Sequence, residues 1–206
     1  MSNRMIILTK GENGLISILQ TDRLLLSEAS PEDSAVITNY VIRNKEFLAP
    51  WEPKREEAFF SEESQRALLE ADQQVIESGG LVKLWISLQE DPDTVIGSVV
   101  LGNIVRGVFL SCNLGYRLDK GLLGKGYMPE AVQMIVKHGF DSLGLHRIEA
   151  NIIPRNAASL SVVRKLGFQE EGLAKRYLKI NGKWEDHIHM VMLNDALEIE
   201  EEGREG

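Results

Sequence analysis

LGYRLDKGLLGKGYMPEAVQMIVKHGFDSLGLHRIEANIIPRNAASLSVVRKLGFQEEG, residues 114–172, decides the fold. It begins as a strand, breaks at Gly121, Gly124 and Gly126, and changes at Tyr127 to a helical period in which Val132, Ile135, Val136 and Phe140 share one face. Gly144 closes that helix. His146 to Ile153 reads as a buried strand, and Asn156 then caps a helix bearing Leu160, Val163 and Leu166, with Gly167 just past its end. Strand, glycine loop and helix in that order read as an anion cradle or as a tight β-α turn. Glycines let a ligand approach the backbone, and a helix N-terminus aims N–H groups at a negative charge. A pyrophosphate suits it. The loop is not a P-loop, because Gly126 rather than Ser or Thr follows Lys125 and no Gly sits five residues before Gly124.

Outward from this stretch, Arg23 to Glu28 reads as a strand. Ser30-Pro31-Glu32-Asp33 opens a helix that runs to Asn44. Pro50 and Pro53 enforce a loop around Trp51. A second helix follows Ser61, with Leu68, Ala71 and Val75 as its apolar face, and ends at Gly79-Gly80. Leu81 to Gln89 and Thr94 to Leu101 are strands flanking a turn at Asp91-Pro92-Asp93, and Val108 to Asp119 is the third of that run. On the C-terminal side, Ala174 to Ile180 and Lys183 to Leu193 surround Asn181-Gly182, a strong hairpin signal. The order β-α-α-β-β-β-α-β-α-β-β predicts an α/β (α+β) domain, a mixed sheet with helices on both faces. One domain is expected over 1–206, with its core at about 23–193.

Composition excludes several classes. The chain has 206 residues, 43% hydrophobic and 26% charged, as in ordinary globular proteins. No apolar run reaches the roughly 20 residues that span a membrane, and the N-terminal apolar run is too short for a signal peptide. Cys112 is the one cysteine, so no disulfide forms within the chain, and the cytosol is expected. The net charge is −8, of which the tail 194–206 carries −5, as a solvated, frayed end. An acidic body argues against direct nucleic-acid binding and suits a cationic amine.

The stretch LGYRLD (114–119), the loop GLLGKGYMPEA (121–131) and HRIEANIIPRNAASLSVVRKLGFQEEG (146–172) together resemble the GNAT superfamily of acetyltransferases. The resemblance implies a GNAT fold with a mostly antiparallel sheet, and acetyl-CoA as acetyl donor. The family loop Arg/Gln-x-x-Gly-x-Gly/Ala is matched at Gly124 and Gly126; Gly121 stands where Arg or Gln is usual. The implied cofactor contacts are Leu118, Leu123, Gly124, Lys125, Gly126, Tyr127 and Asn156. NKEFLAPWEP (44–53), GNIVRGVF (102–109) and YLKINGKWEDH (177–187) are similar to segments of ribosomal-protein-alanine N-acetyltransferases. That likeness implies a protein N-terminus, that of a ribosomal protein, as acceptor, with Trp51, Glu52, Tyr177 and Asp186 near it. Monomer and homodimer both remain open.

An attacking amine must be neutral. About a tenth of peptide α-amines (pKa ~8) are neutral at pH 7, but only about one lysine in 2,500. The developing oxyanion needs an N–H donor, which the family takes from the strand before the loop, here around Asn113 to Tyr116. The leaving thiolate needs a proton. Val163 stands where many relatives carry a tyrosine acid; Ser159, three residues after Asn156, matches the serine of the ribosomal-protein subfamily, although capping alone would explain a serine there. Glu149 is the candidate base, with a structural pairing to His146 or Arg147 as the other reading and Glu52 and Asp186 as alternatives. Cys112 reads as a buried hydrophobe. His187 and His189 share a strand face but lack a third metal ligand with matching spacing, so no metal is expected. Rival functions are acetylation of a polyamine or aminoglycoside, and a non-catalytic acyl-CoA-binding module.

Overall fold

The computed structural model describes residues 5–10 and 16–197. All of the acidic tail beyond Leu197 therefore lies outside the described residues. The strands are β1 (Met5–Lys10), β2 (Ile16–Gln20), β3 (Leu24–Glu28), β4 (Val82–Leu88), β5 (Asp91–Val105), β6 (Ser111–Leu118), β7 (Arg147–Ile152), β8 (Gln169–Ile180) and β9 (Lys183–Leu193). The helices are α1 (Ser34–Leu48), α2 (Glu62–Glu77), α3 (Tyr127–Asp141) and α4 (Ala157–Lys165). One sheet runs β1-β2-β3-β4-β5-β6-β7-β9-β8. Every neighbouring pair is antiparallel except β6 with β7. This is the mixed, mostly antiparallel sheet the sequence predicts, with helices on both faces. No described helix is long and apolar enough to cross a membrane.

Alternation along the strands divides two cores. Leu84, Ile86, Val99, Leu101, Ile148 and Ala150 pack with Val132, Ile135, Leu160 and Val163 of α3 and α4. Trp85 and Val95 pack on the other face with Ile37, Tyr40, Val41 and Leu48 of α1 and Leu69 of α2. Each fully buried aliphatic side chain is worth about 1.5–3 kcal/mol.

Several expectations shift. The strands β1 and β2 precede Arg23; strands this short take their stability from pairing rather than from a strong pattern of their own. The turn between β4 and β5 is Gln89-Glu90, with Leu88 opposite Asp91, so Pro92 begins a strand instead of making the turn. Pro is tolerated at a strand start, where its missing N–H costs least. The buried face of α2 is Gln65 and Leu69, whereas Leu68 and Val75 are 41% and 45% exposed. The helix is rotated by about one residue from the expected face, with Leu69 packed in the core and Asp72 turned toward Lys83 of β4. A turn of 3-10 helix at Pro31–Asp33 precedes α1, which runs four residues past Asn44. The third strand starts at Ser111 rather than Val108, and β8 starts at Gln169 rather than Ala174.

Candidate active site

The parallel pair is where the sheet is incomplete. β6 and β7 pair through Ser111–Arg147, Cys112–Ile148 and Asn113–Glu149 only, although both strands continue. From Leu114 on, β6 therefore presents backbone groups toward β7 without a strand partner, and a wedge opens through the sheet. Such N–H groups are the donors an oxyanion needs.

On the α3/α4 face, the glycine loop leads into α3. Gly124 and Gly126 have φ of 75° and 80°, a region that disfavours side-chain-bearing residues. The first intrahelical bond is from Glu130 N–H to the Gly126 carbonyl, so the N–H groups of Tyr127 and Met128 precede the ladder and Pro129 has none to give. Donors facing outward beside Gly126 and a helix dipole fit a pyrophosphate. Arg23 braces this loop from β3's edge, donating to the Lys125 carbonyl at 3.0 Å, pairing with Glu130 and lying 4.6 Å over the Tyr127 ring. On the other side α1 holds the loop. Arg43 Nε donates to Asp119 at 2.6 Å, Asn44 donates to the same oxygen at 3.3 Å, and Asn44 Oδ1 accepts from Lys120 N–H at 3.2 Å. Burial raises the Asp119 pKa, but the bonds from Arg43, Gly121 N–H and Asn44 outweigh it and hold the carboxyl below its ordinary value. Of the other expected contacts, Leu118 ends β6 with its side chain in the core, while Leu123 is exposed.

Asn156 caps α4, accepting from Ser159 N–H at 3.1 Å. Ser159 Oγ in turn donates to the Tyr116 hydroxyl at 2.7 Å, and Tyr116 donates to the Ser159 carbonyl at 2.9 Å. Tyr116 is a site residue that sequence reasoning missed; its burial pushes its phenol pKa up to about 12, partly offset by the Ser159 bond. The signal was a lone Tyr amid the alternating apolar positions of β6. Cys112 is buried two residues before the wedge, and burial raises its thiol to about 12.

The α1/α2 face forms the other side. A cleft of about 310 Å³ is lined by Glu52, Asp72, Lys83, Gly115, Tyr116 and Arg117. Arg117, also missed, lies over both the Tyr40 and Trp85 rings and bonds Glu52 at 3.1 Å. Burial lowers the Lys83 pKa, and Asp72 opposes that shift. Over this cleft the Trp51 loop is clamped. The hairpin tip donates Asn181 N–H to the Glu52 carbonyl at 2.9 Å, and Arg155 lies 5.4 Å over the Trp51 ring while pairing with Glu185 at 2.9 Å.

Glu149 faces the same side, and both its oxygens are engaged, one with Arg147 at 2.7 Å and one with His189 Nδ1 at 3.2 Å. The expected pairing with Arg147 is present, and the candidate base carries no free oxygen. Tyr177 stacks edge-on against His187 and His189, with ring centroids 5.7 and 5.0 Å apart. Asp186 does not join them. Strand alternation puts it on the Ile188–Met190 face, where it accepts from Arg176 N–H at 2.8 Å, at a bulge of β8.

Residues 23–169 match the acetyltransferase (GNAT) domain family. The chain is 40% identical to the probable N-acetyltransferase YjcK of Bacillus subtilis, over 73% of this chain and 83% of that one. Among solved structures it resembles a ribosomal-protein-S5-alanine acetyltransferase from Vibrio fischeri, at 38% identity and TM-score 0.81, covering 86% of this chain and 96% of that one. It also resembles Mycobacterium smegmatis RimJ in complex with CoA-disulfide, at 28% identity and TM-score 0.79, covering 84% and 83% of the two chains. A split parallel pair, a glycine cradle on one side of it, a polar cleft on the other and a domain match over 23–169 converge: the chain belongs to the GNAT family of N-acetyltransferases.

Proposed function

We propose that this N-acetyltransferase moves the acetyl group of acetyl-CoA to the α-amine of a protein N-terminus, that of a ribosomal protein. The observation that carries the acceptor half is the charge state of the cleft. The carboxylates that line it are already matched, Glu52 by Arg117 and Asp72 by Lys83, and so are Glu149 by Arg147 and Glu185 by Arg155 elsewhere on the sheet. A polyamine needs carboxylates left over for its several charges; a single ammonium on a peptide does not. The likeness to the Vibrio enzyme, across 96% of its length, supports the same acceptor class.

When bound, acetyl-CoA supplies an activated thioester. The residues that would hold it are Gly124 to Tyr127, for the pyrophosphate, and Asn156, with main-chain groups of β6 past Asn113 available along the wedge. The Ser159 hydroxyl, which donates to Tyr116, turns instead to the departing thiolate and stabilises it by a hydrogen bond until the thiolate is protonated from solvent. Trp51, Glu52 and Tyr177 flank the acceptor. Glu149, held by Arg147 and by His189, lies on the same side.

The test compares a peptide beginning with alanine against the same peptide blocked at its N-terminus but bearing lysine, read by release of free thiol. Turnover of the free-amine peptide alone is expected. Preference for the blocked lysine peptide, or for spermidine over both, overturns the α-amine reading.

A further inference from the structure

Two of the buried polar atoms that lack a partner among the described residues, His189 Nε2 and Asn151 Oδ1, lie on the acceptor face. They are neighbours: Asn151 and His189 are directly opposite in the β7–β9 pair, which places their Cβ atoms about 4.5–5.5 Å apart on one face. Buried polar groups left bare are costly and rare, so an adjacent pair of them points to a bound molecule that satisfies both. With Nδ1–H donating to Glu149, His189 presents a lone pair at Nε2. Both orphan atoms are then acceptors, and what satisfies two acceptors at once is a molecule with two donor hydrogens.

Their position gives that molecule a task. The last β6–β7 pair is Asn113 with Glu149, so Asn151 is the next β7 residue on this face and the first beyond the wedge's origin. Across the wedge lies Gly115, which lines the acceptor cleft and has open space where a Cβ would stand. We propose that His189 is the proton acceptor for the incoming amine, reached through one water that donates to both His189 Nε2 and Asn151 Oδ1. The ammonium gives a proton to the water as the water gives one to Nε2, leaving a neutral amine and an imidazolium. Glu149 is then a positioning residue: it fixes the tautomer, faces the new positive charge, and is itself held by Arg147. The other charged or titratable groups on this face are Glu171 on β8, whose carboxyl is held low by Arg147, His187 and Glu185 on β9, and Tyr177 against the ring.

This rests on the acceptor being an amine that arrives protonated, as the proposed function has it. The test uses His189→Gln in the full chain, with kcat/KM measured from pH 6 to 9.5. At pH 6.5 the variant should lose at least about tenfold, and above pH 9, where an α-amine of pKa ~8 is neutral unaided, it should return to within about threefold of wild type. Asn151→Leu should show the same pH pattern, and calorimetry should show acetyl-CoA affinity unchanged in both. A loss equal at every pH, or none at pH 6.5, overturns the proposal. If His189→Gln does not fold, a pH-independent effect of Asn151→Leu does so. The wild-type-to-variant ratio is readable on any amine the enzyme accepts, whereas wild-type turnover of the alanine peptide at pH 9 tests the α-amine reading separately.

Discussion

Ser159 sits where a helix cap, a buried phenol and the wedge meet. Its amide is committed to Asn156, which leaves the hydroxyl free to bond Tyr116 at 2.7 Å. A hydroxyl whose only partner is another hydroxyl can be redirected to a thiolate at little cost. Ser159→Ala should therefore lower kcat by about 10²–10⁴-fold, since that is what one positioned proton donor supplies. Acetyl-CoA affinity by calorimetry should stay within a few fold, the split expected of a transition-state contact. The serine was legible because it stands three residues from its cap. Tyr116 was not, because it arrives from 43 residues away, and no local spacing encodes that contact. The same holds for His189, which meets Glu149 only because β9 pairs with β7.

At the scale of elements, the loop before α3 is held from both sides, by Arg23 and by the Arg43–Asn44 pair of α1. It is thus set before cofactor arrives. Gly126 caps α3 at φ 80°, and a Cβ there would stand 3.4 Å from the Arg23 guanidinium. Gly126→Val forces a branched residue into the left-handed region, at about 1–2 kcal/mol of strain, and puts methyl groups beside the outward N–H groups. Acetyl-CoA binding by calorimetry should weaken at least about tenfold, because the methyls stand where the anion would meet those N–H groups. Elements with strong punctuation, such as α3 between Gly126 and Gly144 or the Asn181-Gly182 hairpin, were readable in the sequence. The face of α2 was not: Leu68, Ala71 and Val75 carry a helical period, yet it is Leu69 that packs in the core, with Asp72 paired to Lys83 at 2.5 Å. An ion pair between elements has no signature in either one alone.

For the whole molecule, the N-terminal and C-terminal halves close on each other at the Trp51 loop. Asn181 N–H, the Arg155–Glu185 pair and the Arg155–Trp51 contact form an arch over the cleft. Arg155→Ala removes two of these three ties. The KM for the peptide should rise about three- to tenfold, as expected when about 1 kcal/mol of acceptor positioning is lost, while acetyl-CoA affinity stays as it was. Equal changes in both would show that the arch supports the cofactor side too.

The short β6–β7 pairing has a consequence for traffic. Because the gap pierces the sheet, the proposed cofactor and acceptor sites open on opposite faces, the α3 side for one and the α2 side for the other. With the sites so arranged, neither product would stand in the other's exit, and a large acceptor could stay docked while spent coenzyme leaves from the back.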